Sequence, residues 1–122
     1  MPLSATAVGV VAYSLQIYCD FSGYSDMAIG AARALGFDLP RNFDAPYAAR
    51  SAAEFWHRWH VTLSLWLRDY VFLPCAYSAS RRVGRLGLSS RWGELLTYGA
   101  ASVLTMLAAG AWHGTGWGFL AW

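Results

Sequence analysis

The three histidines are the side chains of this protein best suited to catalysis. His113 stands alone in the uncharged segment MLAAGAWHGTGWGF, residues 106–119. An ionisable side chain is costly to keep in sequence apolar enough for lipid, and it is therefore a candidate for function. A neutral imidazole can take a proton from a hydroxyl group, so one interpretation is a general base. The other is a neutral histidine that caps a helix end by hydrogen bonding.

His57 and His60 lie three residues apart in EFWHRWHVTLSLWLRDY, residues 54–70, and this spacing places them on one face of a helix. Two such histidines could ligate a metal, but no third histidine or carboxylate follows nearby, so no metal site is predicted. His60 is also one turn from Ser64, as in a base and nucleophile pair, but this spacing is common by chance. An amphipathic helix at the membrane surface is the simpler interpretation of the same pattern.

The helix that would carry these two histidines is predicted over residues 52–69. Ser51 and Glu54 fit the S-x-x-E capping box, in which each side chain accepts from the backbone N–H of the other residue. Pro74 should stop any continuation of the helix, because proline cannot donate a backbone hydrogen bond. One face carries a mainly aromatic stripe at helical spacing, namely Phe55, Trp59, Leu63, Trp66 and Tyr70.

The composition predicts a membrane protein. Of the 122 residues, 57% are hydrophobic and 13% are charged, about half the charged fraction of a soluble domain. Met1–Cys19 and Leu95–Trp112 contain no charged side chain, and each is long enough to cross a bilayer. The first lacks the basic start of a secretory signal. Because lipid cannot satisfy the backbone groups of an open sheet, we expect an all-α fold.

The sequence between the two predicted spans is more polar. Ser22–Gly36 is predicted to be a shorter helix that ends at Gly36 in the left-handed conformation, followed by a proline-containing loop over residues 37–50. Pro74–Gly93 contains four arginines and no acidic residue, which predicts a cytoplasmic loop. The net charge of only +2 argues against nucleic acid as a partner. The two cysteines, Cys19 and Cys75, are too few for a disulfide framework or a cysteine zinc site.

Three blocks of this sequence, in this order, resemble the membrane-bound O-acyltransferase family, and in particular its bacterial branch of alginate O-acetyltransferases. The blocks are YCDFSGYSDMAIGAARALGFDLPRNFDAPY, EFWHRWHVTLSLWLRDY and AWHGTGWGF. The resemblance implies a catalytic histidine in the WHG block, at His113. It implies a second site residue, histidine or in some branches asparagine, in the RWHVTLS block, at His60. Where relatives typically have arginine, this chain has His57.

The resemblance also implies the reaction and its setting. Such a protein is a multi-pass enzyme of the bacterial inner membrane, surrounded by lipid, with membrane-spanning helices and intervening amphipathic or re-entrant helices. It moves an acyl group, here expected to be acetyl, from a thioester such as acetyl-CoA to a hydroxyl of an exported polysaccharide or of an extracytoplasmic relay protein. No resident cofactor is implied. Family members are several times longer, so residues 1–122 are expected to form part of a domain.

Several alternatives remain open at this level. The oxyanion of the reaction could be stabilised by His60, by Ser64 or by the backbone N–H groups around Gly114 and Gly116. The chain could instead be a non-catalytic membrane subunit or a transporter-like segment in which His113 relays protons. A third hypothesis is a metal-dependent membrane enzyme that uses all three histidines.

Overall fold

The computed structural model describes residues 2–86 and 90–121, and all regular elements in these two ranges are helical. The all-α prediction is therefore confirmed for the described residues. They form α1 (Leu3–Ala34), α2 (Ala52–Arg58), α3 (Val61–Leu67), α4 (Leu73–Arg85), α5 (Ser90–His113) and α6 (Trp117–Ala121), with a 3₁₀ turn at Pro46–Ala48 and a π-helical turn at Arg68–Phe72. The chain divides into two compact units, Met1–Thr62 and Leu63–Trp122.

Helix α1 is one continuous helix of 32 residues. The sequence predicted a span ending at Cys19 and a separate helix from Ser22, and this division is wrong. No proline occurs between Leu3 and Ala34 to break the backbone bonds, so the helix continues through both segments. The predicted end at Gly36 is confirmed, because this glycine has a φ of +85°.

The bonds that end α1 form a Schellman motif. The N–H of Phe37 donates to the carbonyl of Ala32 over 2.9 Å, and the N–H of Gly36 donates to the carbonyl of Arg33 over 3.0 Å. Further along, the hydroxyl of Tyr47 donates to the carbonyl of Ser14 over 2.8 Å. That bond fastens the loop after α1 back onto the helix.

The predicted helix over residues 52–69 is wrong as a single element. Helix α2 ends at Arg58, and α3 begins at Val61. Between them His60 has a φ of +44°, in the left-handed region that few residues other than glycine adopt. His57 and His60 therefore do not share a helix. The start of α2 is as predicted, since Oγ of Ser51 accepts from the N–H of Glu54 over 3.1 Å.

Pro74 does not end the helical path, contrary to the prediction. Because proline has no N–H to donate to the carbonyl four residues earlier, the chain adopts a π-helical turn over Arg68–Phe72, where the N–H of Leu73 donates to the carbonyl of Arg68. Helix α4 then continues to Arg85. Most of the predicted Arg-rich loop over residues 74–93 is consequently helical. Residues 87–89 of that loop, together with Met1 and Trp122, lie outside the described residues.

Helices α4 and α5 pack against each other through small side chains. Ala76 of α4 and Thr97 and Ala101 of α5 are buried. At Gly93 a Cβ atom would lie 3.0 Å from Cγ1 of Val83, so any larger residue there would require the Val83 side chain to shift. This packing sets the direction of α5, the helix that ends at His113.

One helix in the described ranges is long and apolar enough to cross a membrane, namely Arg91–His113. It contains the predicted span Leu95–Trp112. Helix α1 is longer but does not meet the same criterion; its first two turns and its middle include Ser4, Thr6, Ser14 and Gln16. Both long helices expose large apolar side chains: Val8 and Val11 on α1 and Leu95 and Val103 on α5 are 60–70% exposed.

Candidate active site

Asn42, in the loop after α1, binds the turn that contains His60. Its backbone carbonyl accepts from the N–H of Val61 over 2.9 Å. Its side-chain Oδ1 accepts from the N–H of Thr62 over 3.3 Å and from the Thr62 hydroxyl over 2.6 Å. The first N–H groups of a helix have no partner within it, so Asn42 caps α3 from a distant part of the sequence.

The same oxygen of Asn42 also contacts the imidazole of His60. Nδ1 of His60 lies 3.2 Å from Oδ1 of Asn42. The other ring nitrogen, Nε2, is buried. The NH₂ group of the same Asn42 side chain points away from His60 and donates from Nδ2 to the hydroxyl of Ser25 over 3.4 Å. Ser25 is itself buried on α1. The imidazole is therefore held by a side chain that is anchored at both ends.

Aromatic rings enclose the turn around His60. The ring of Phe21 meets the imidazole edge to face, with centroids 4.7 Å apart. Phe43 lies against Phe21 at 5.0 Å and against Trp59 at 5.1 Å, both nearly perpendicular. Edge-to-face contacts of this kind stabilise aromatic clusters beyond the area they bury. They fix the plane of the His60 ring as well as its position.

A charged group holds the loop against α2. Arg58 pairs with Glu54 at 2.7 Å, as the i, i+4 spacing predicts, and its guanidinium donates to the carbonyl of Asp44 over 3.4 Å. The N–H of Asp44 donates in turn to the carbonyl of Arg58 over 3.0 Å. The N–H of Arg50, and in addition the charge of Arg58, hold the pKa of Glu54 below its ordinary value. Glu54 is thus a carboxylate at neutral pH.

His113 is the last residue of α5, and its side chain is exposed. The Phe119 ring of α6 lies nearly parallel to the imidazole, with centroids 6.5 Å apart and 14° between the planes. Trp112 contacts the imidazole at 4.8 Å. At Gly114 a Cβ atom would lie 2.6 Å from the Phe119 ring, so only glycine allows this arrangement. A pocket of about 400 Å³ is lined by His113, Gly116, Gly118 and Phe119.

The structure bears differently on the oxyanion donors, the metal hypothesis and the two site histidines named from the sequence. The N–H of Gly114 already donates to the carbonyl of Gly110 over 3.2 Å, which leaves Gly116 as the candidate backbone donor to an oxyanion. No group of three or more metal-ligating side chains occurs among the described residues 2–86 and 90–121, and the three-histidine hypothesis stays a hypothesis because His57 and His60 belong to the first unit and His113 to the second. His60 belongs to the first unit and His113 to the second, and their roles as site residues stay predictions.

The sequence interpretation missed Asn42. Residues 37–50 were predicted only to form a loop, because this segment contains prolines and turn-forming residues. No local pattern connects Asn42 to a histidine 18 positions later. One feature of the sequence could have indicated it: Asn42 lies in the first of the three blocks that resemble the family.

The family model of the membrane-bound O-acyltransferases matches residues 2–122. The chain belongs to the membrane-bound O-acyltransferase family. A probable alginate O-acetylase of Azotobacter vinelandii is 45% identical over 115 residues, which are 94% of this chain and 20% of that protein. A peptidoglycan O-acetyltransferase of Helicobacter pylori is 43% identical over 112 residues, 92% of this chain and 19% of that protein.

More distant members of the membrane-bound O-acyltransferase family match the same region. A teichoic acid D-alanyltransferase of Streptococcus thermophilus is 34% identical over 110 residues, which are 90% of this chain and 25% of that protein. The chain spans about a fifth of the length of the alginate and peptidoglycan relatives. The family match thus covers the segment that carries both His60 and His113.

Proposed function

We propose that this chain is a segment of a multi-pass O-acyltransferase of the bacterial inner membrane. The enzyme transfers an acyl group, expected to be acetyl, from a thioester such as acetyl-CoA to a hydroxyl of an exported polysaccharide or of a relay protein. The observation that carries this proposal is the shared match to relatives named for alginate, peptidoglycan and teichoic acid. All three names describe an acyl group moved onto a polymer, namely acetyl onto alginate or peptidoglycan and D-alanyl onto teichoic acid.

In the proposed reaction His113 is the general base. Its neutral imidazole takes the proton of the acceptor hydroxyl while the hydroxyl oxygen attacks the thioester carbonyl. The carbonyl oxygen becomes an oxyanion, which needs a hydrogen-bond donor. When the intermediate collapses, the C–S bond breaks, and the leaving thiolate recovers the proton from the imidazolium. The pocket beside His113 supports this role, because it gives the reacting groups room next to the imidazole.

The proposed topology follows from charge and length. Arg81, Arg82 and Arg85 at the end of α4 favour the cytoplasmic side. Helix α5, with 24 residues and a length of about 36 Å, then crosses the bilayer and carries His113 toward the opposite side, where an exported acceptor is available. The apolar side chains exposed on α1 and α5 suit contact with lipid or with further helices of a longer protein.

Transfer of radiolabelled acetyl groups tests this function. The full-length protein in proteoliposomes is given labelled acetyl-CoA and a polysaccharide acceptor, and label in the polymer is counted. We expect incorporation by the wild type and its loss in His113→Ala at equal protein abundance. The exposed Trp117→Phe variant is a control for general damage near α6. Undiminished transfer by His113→Ala would refute the assigned base, and no transfer by the wild type to any hydroxyl acceptor would refute the function.

A further inference from the structure

We propose that Asn42 is a positioning residue that fixes the tautomer of His60, with the hydrogen on Nδ1 and the lone pair of the neutral ring on Nε2. The assignment of the tautomer depends only on the contacts of Asn42. Its consequence for acyl transfer rests on the proposed function.

The orientation of the Asn42 amide is the first step. A backbone N–H can only donate, and the N–H of Thr62 points at one of the two terminal atoms of the Asn42 side chain from 3.3 Å. That atom must be the oxygen. The other terminal atom is then the NH₂ group, and it faces the Ser25 hydroxyl, which can accept. A hydroxyl can accept or donate, so the Ser25 contact is compatible with this orientation, and the N–H of Thr62 is the group that determines it.

The tautomer of His60 follows from that orientation. Nδ1 of His60 lies 3.2 Å from Oδ1 of Asn42, and an amide oxygen has no hydrogen to give. Nδ1 must therefore carry the hydrogen and donate it. In a neutral imidazole only one nitrogen is protonated, so the lone pair is on Nε2, the buried nitrogen.

This assignment changes what His60 can do in the reaction. A neutral His60 can accept a hydrogen bond or a proton at Nε2, but it cannot donate there. It can stabilise an oxyanion through Nε2 only as an imidazolium. We infer that a neutral His60 orients a hydroxyl or receives a proton, and that the neutral donor to the oxyanion is another group.

Two further features keep the imidazole in this state. The φ of +44° at His60 fixes the direction in which the side chain leaves the backbone. The edge-to-face contact with Phe21 at 4.7 Å restricts the ring plane. A 180° flip of the ring would bring Cδ2 instead of Nδ1 to Asn42, so it would lose the hydrogen bond and have to pass the contact with Phe21.

Nitrogen-15 NMR of the full-length protein with labelled histidine tests the tautomer directly. Protonated and unprotonated ring nitrogens have well-separated shifts, and the signals of His60 are those that disappear in His60→Gln. At a pH where the ring is neutral, we expect hydrogen on Nδ1 in the wild type. We expect a mixture of tautomers in Asn42→Ala and the original tautomer in Asn42→Asp, which keeps an acceptor at the same place.

Thr62→Val is the matched control, because it removes the hydroxyl bond to Asn42 and leaves the backbone bond and the contact with His60 in place. It should keep the wild-type tautomer. For acetyl transfer we expect Asn42→Ala to lose about 10- to 100-fold, as for other partners that orient a site histidine, and Asn42→Asp to recover part of that loss.

Two results would overturn the proposal. One is a wild-type His60 with hydrogen on Nε2, which decides the matter even if the variants fold poorly. The other is an unchanged tautomer in a folded Asn42→Ala. A wild-type spectrum with hydrogen on Nδ1, combined with full transfer by His113→Ala, would instead refute the assigned base and leave the tautomer assignment standing.

Discussion

The carboxylate of Glu54 accepts a hydrogen bond from the backbone N–H of Arg50 over 2.7 Å, one residue before the Ser51 that caps α2. The S-x-x-E pattern predicted that this carboxylate would bind the N–H of Ser51 itself. The serine half of the capping box is as predicted, and the glutamate half is shifted by one residue. Since α2 has only seven residues, its start depends on these contacts.

The contact between Glu54 and Arg50 predicts a pH dependence of stability. The bond from Arg50, aided by the charge of Arg58, holds the pKa of Glu54 below its ordinary value of 4.5. A depressed carboxyl pKa adds to the free energy of unfolding above the unfolded-state pKa, and this contribution is lost as the pH falls through the folded-state pKa. Glu54→Gln should therefore be less stable than the wild type at pH 7, and the difference should shrink as the pH falls below 4.5 and disappear once the pH is below the folded-state pKa of Glu54.

Thermal unfolding of the full-length protein in detergent between pH 3 and pH 7 measures this difference. Asp38→Asn is the control, because its ion pair with Arg33 is long, at 3.6 Å, and mostly exposed. Such a pair contributes little to stability. A gap between wild type and Glu54→Gln that stayed constant over the whole pH range would show that the carboxylate charge plays no part.

His57 should be replaceable by arginine. Its side chain is exposed in the last turn of α2, where a positive charge interacts favourably with the helix dipole. It lies before the helix break, and His60 lies within the break. We expect His57→Arg to keep acetyl transfer within about twofold of wild type, a change under about 0.5 kcal/mol in activation free energy. An inactive His57→Arg at normal abundance would contradict this and revive the metal hypothesis.

The two remaining histidines should act on one transition state. Loss of a side chain that takes up a proton in the transition state costs about 10²–10⁴ in rate. We expect His113→Ala and His60→Ala both to fall in this range, with His113→Ala the more damaging. His60→Asn should be less harmful than His60→Ala, because an amide can still form hydrogen bonds.

Steady-state transfer by the single and double alanine variants tests the coupling of His60 and His113. If both residues act in one site, the double variant should be little worse than the worse single variant. Effects that multiply would indicate independent steps and would count against action on one transition state.

The two glycines near the end of α1 should respond in opposite ways to alanine. Gly36 has a φ of +85°, which alanine adopts at a cost of about 1–2 kcal/mol, so Gly36→Ala should lower the unfolding temperature. Gly30 lies inside the helix, where alanine is favoured by about 0.5–1 kcal/mol, so Gly30→Ala should raise it. Neither new Cβ would meet an atom within 4 Å. Thermal unfolding of the two variants tests this prediction, and unfolding temperatures that shift in the same direction would contradict it.

The features predicted correctly from the sequence depend on nearby residues. Gly36 ends α1 and Ser51 starts α2 through contacts within a few positions of the chain. The break at His60 could not be predicted in this way, because the group that satisfies the first N–H groups of α3 is Asn42, 20 residues before Thr62. The helical pattern of residues 52–69 is equally compatible with an unbroken helix, and tertiary contacts override it.

Helix α1 and the segment around Pro74 show two further limits of predicting helix boundaries from the sequence. A change from apolar to more polar composition near Ser22 indicates a change of environment, but it does not require a change in backbone, and α1 continues through it. Pro74 removes one donor, and a π-helical turn can absorb that loss without ending the helix. Composition and a single proline were therefore insufficient to place these boundaries.

The left-handed backbone at His60 also restricts which amino acids can replace histidine at this position without a cost in folding. Asparagine, aspartate and histidine are enriched in that conformation, whereas β-branched and bulky residues are strongly disfavoured. The codons of histidine and asparagine differ by one nucleotide. A single mutation can therefore exchange one for the other without rebuilding the turn. Most other amino acids would adopt this backbone conformation at a cost of about 1–2 kcal/mol in folding, whatever their effect on catalysis.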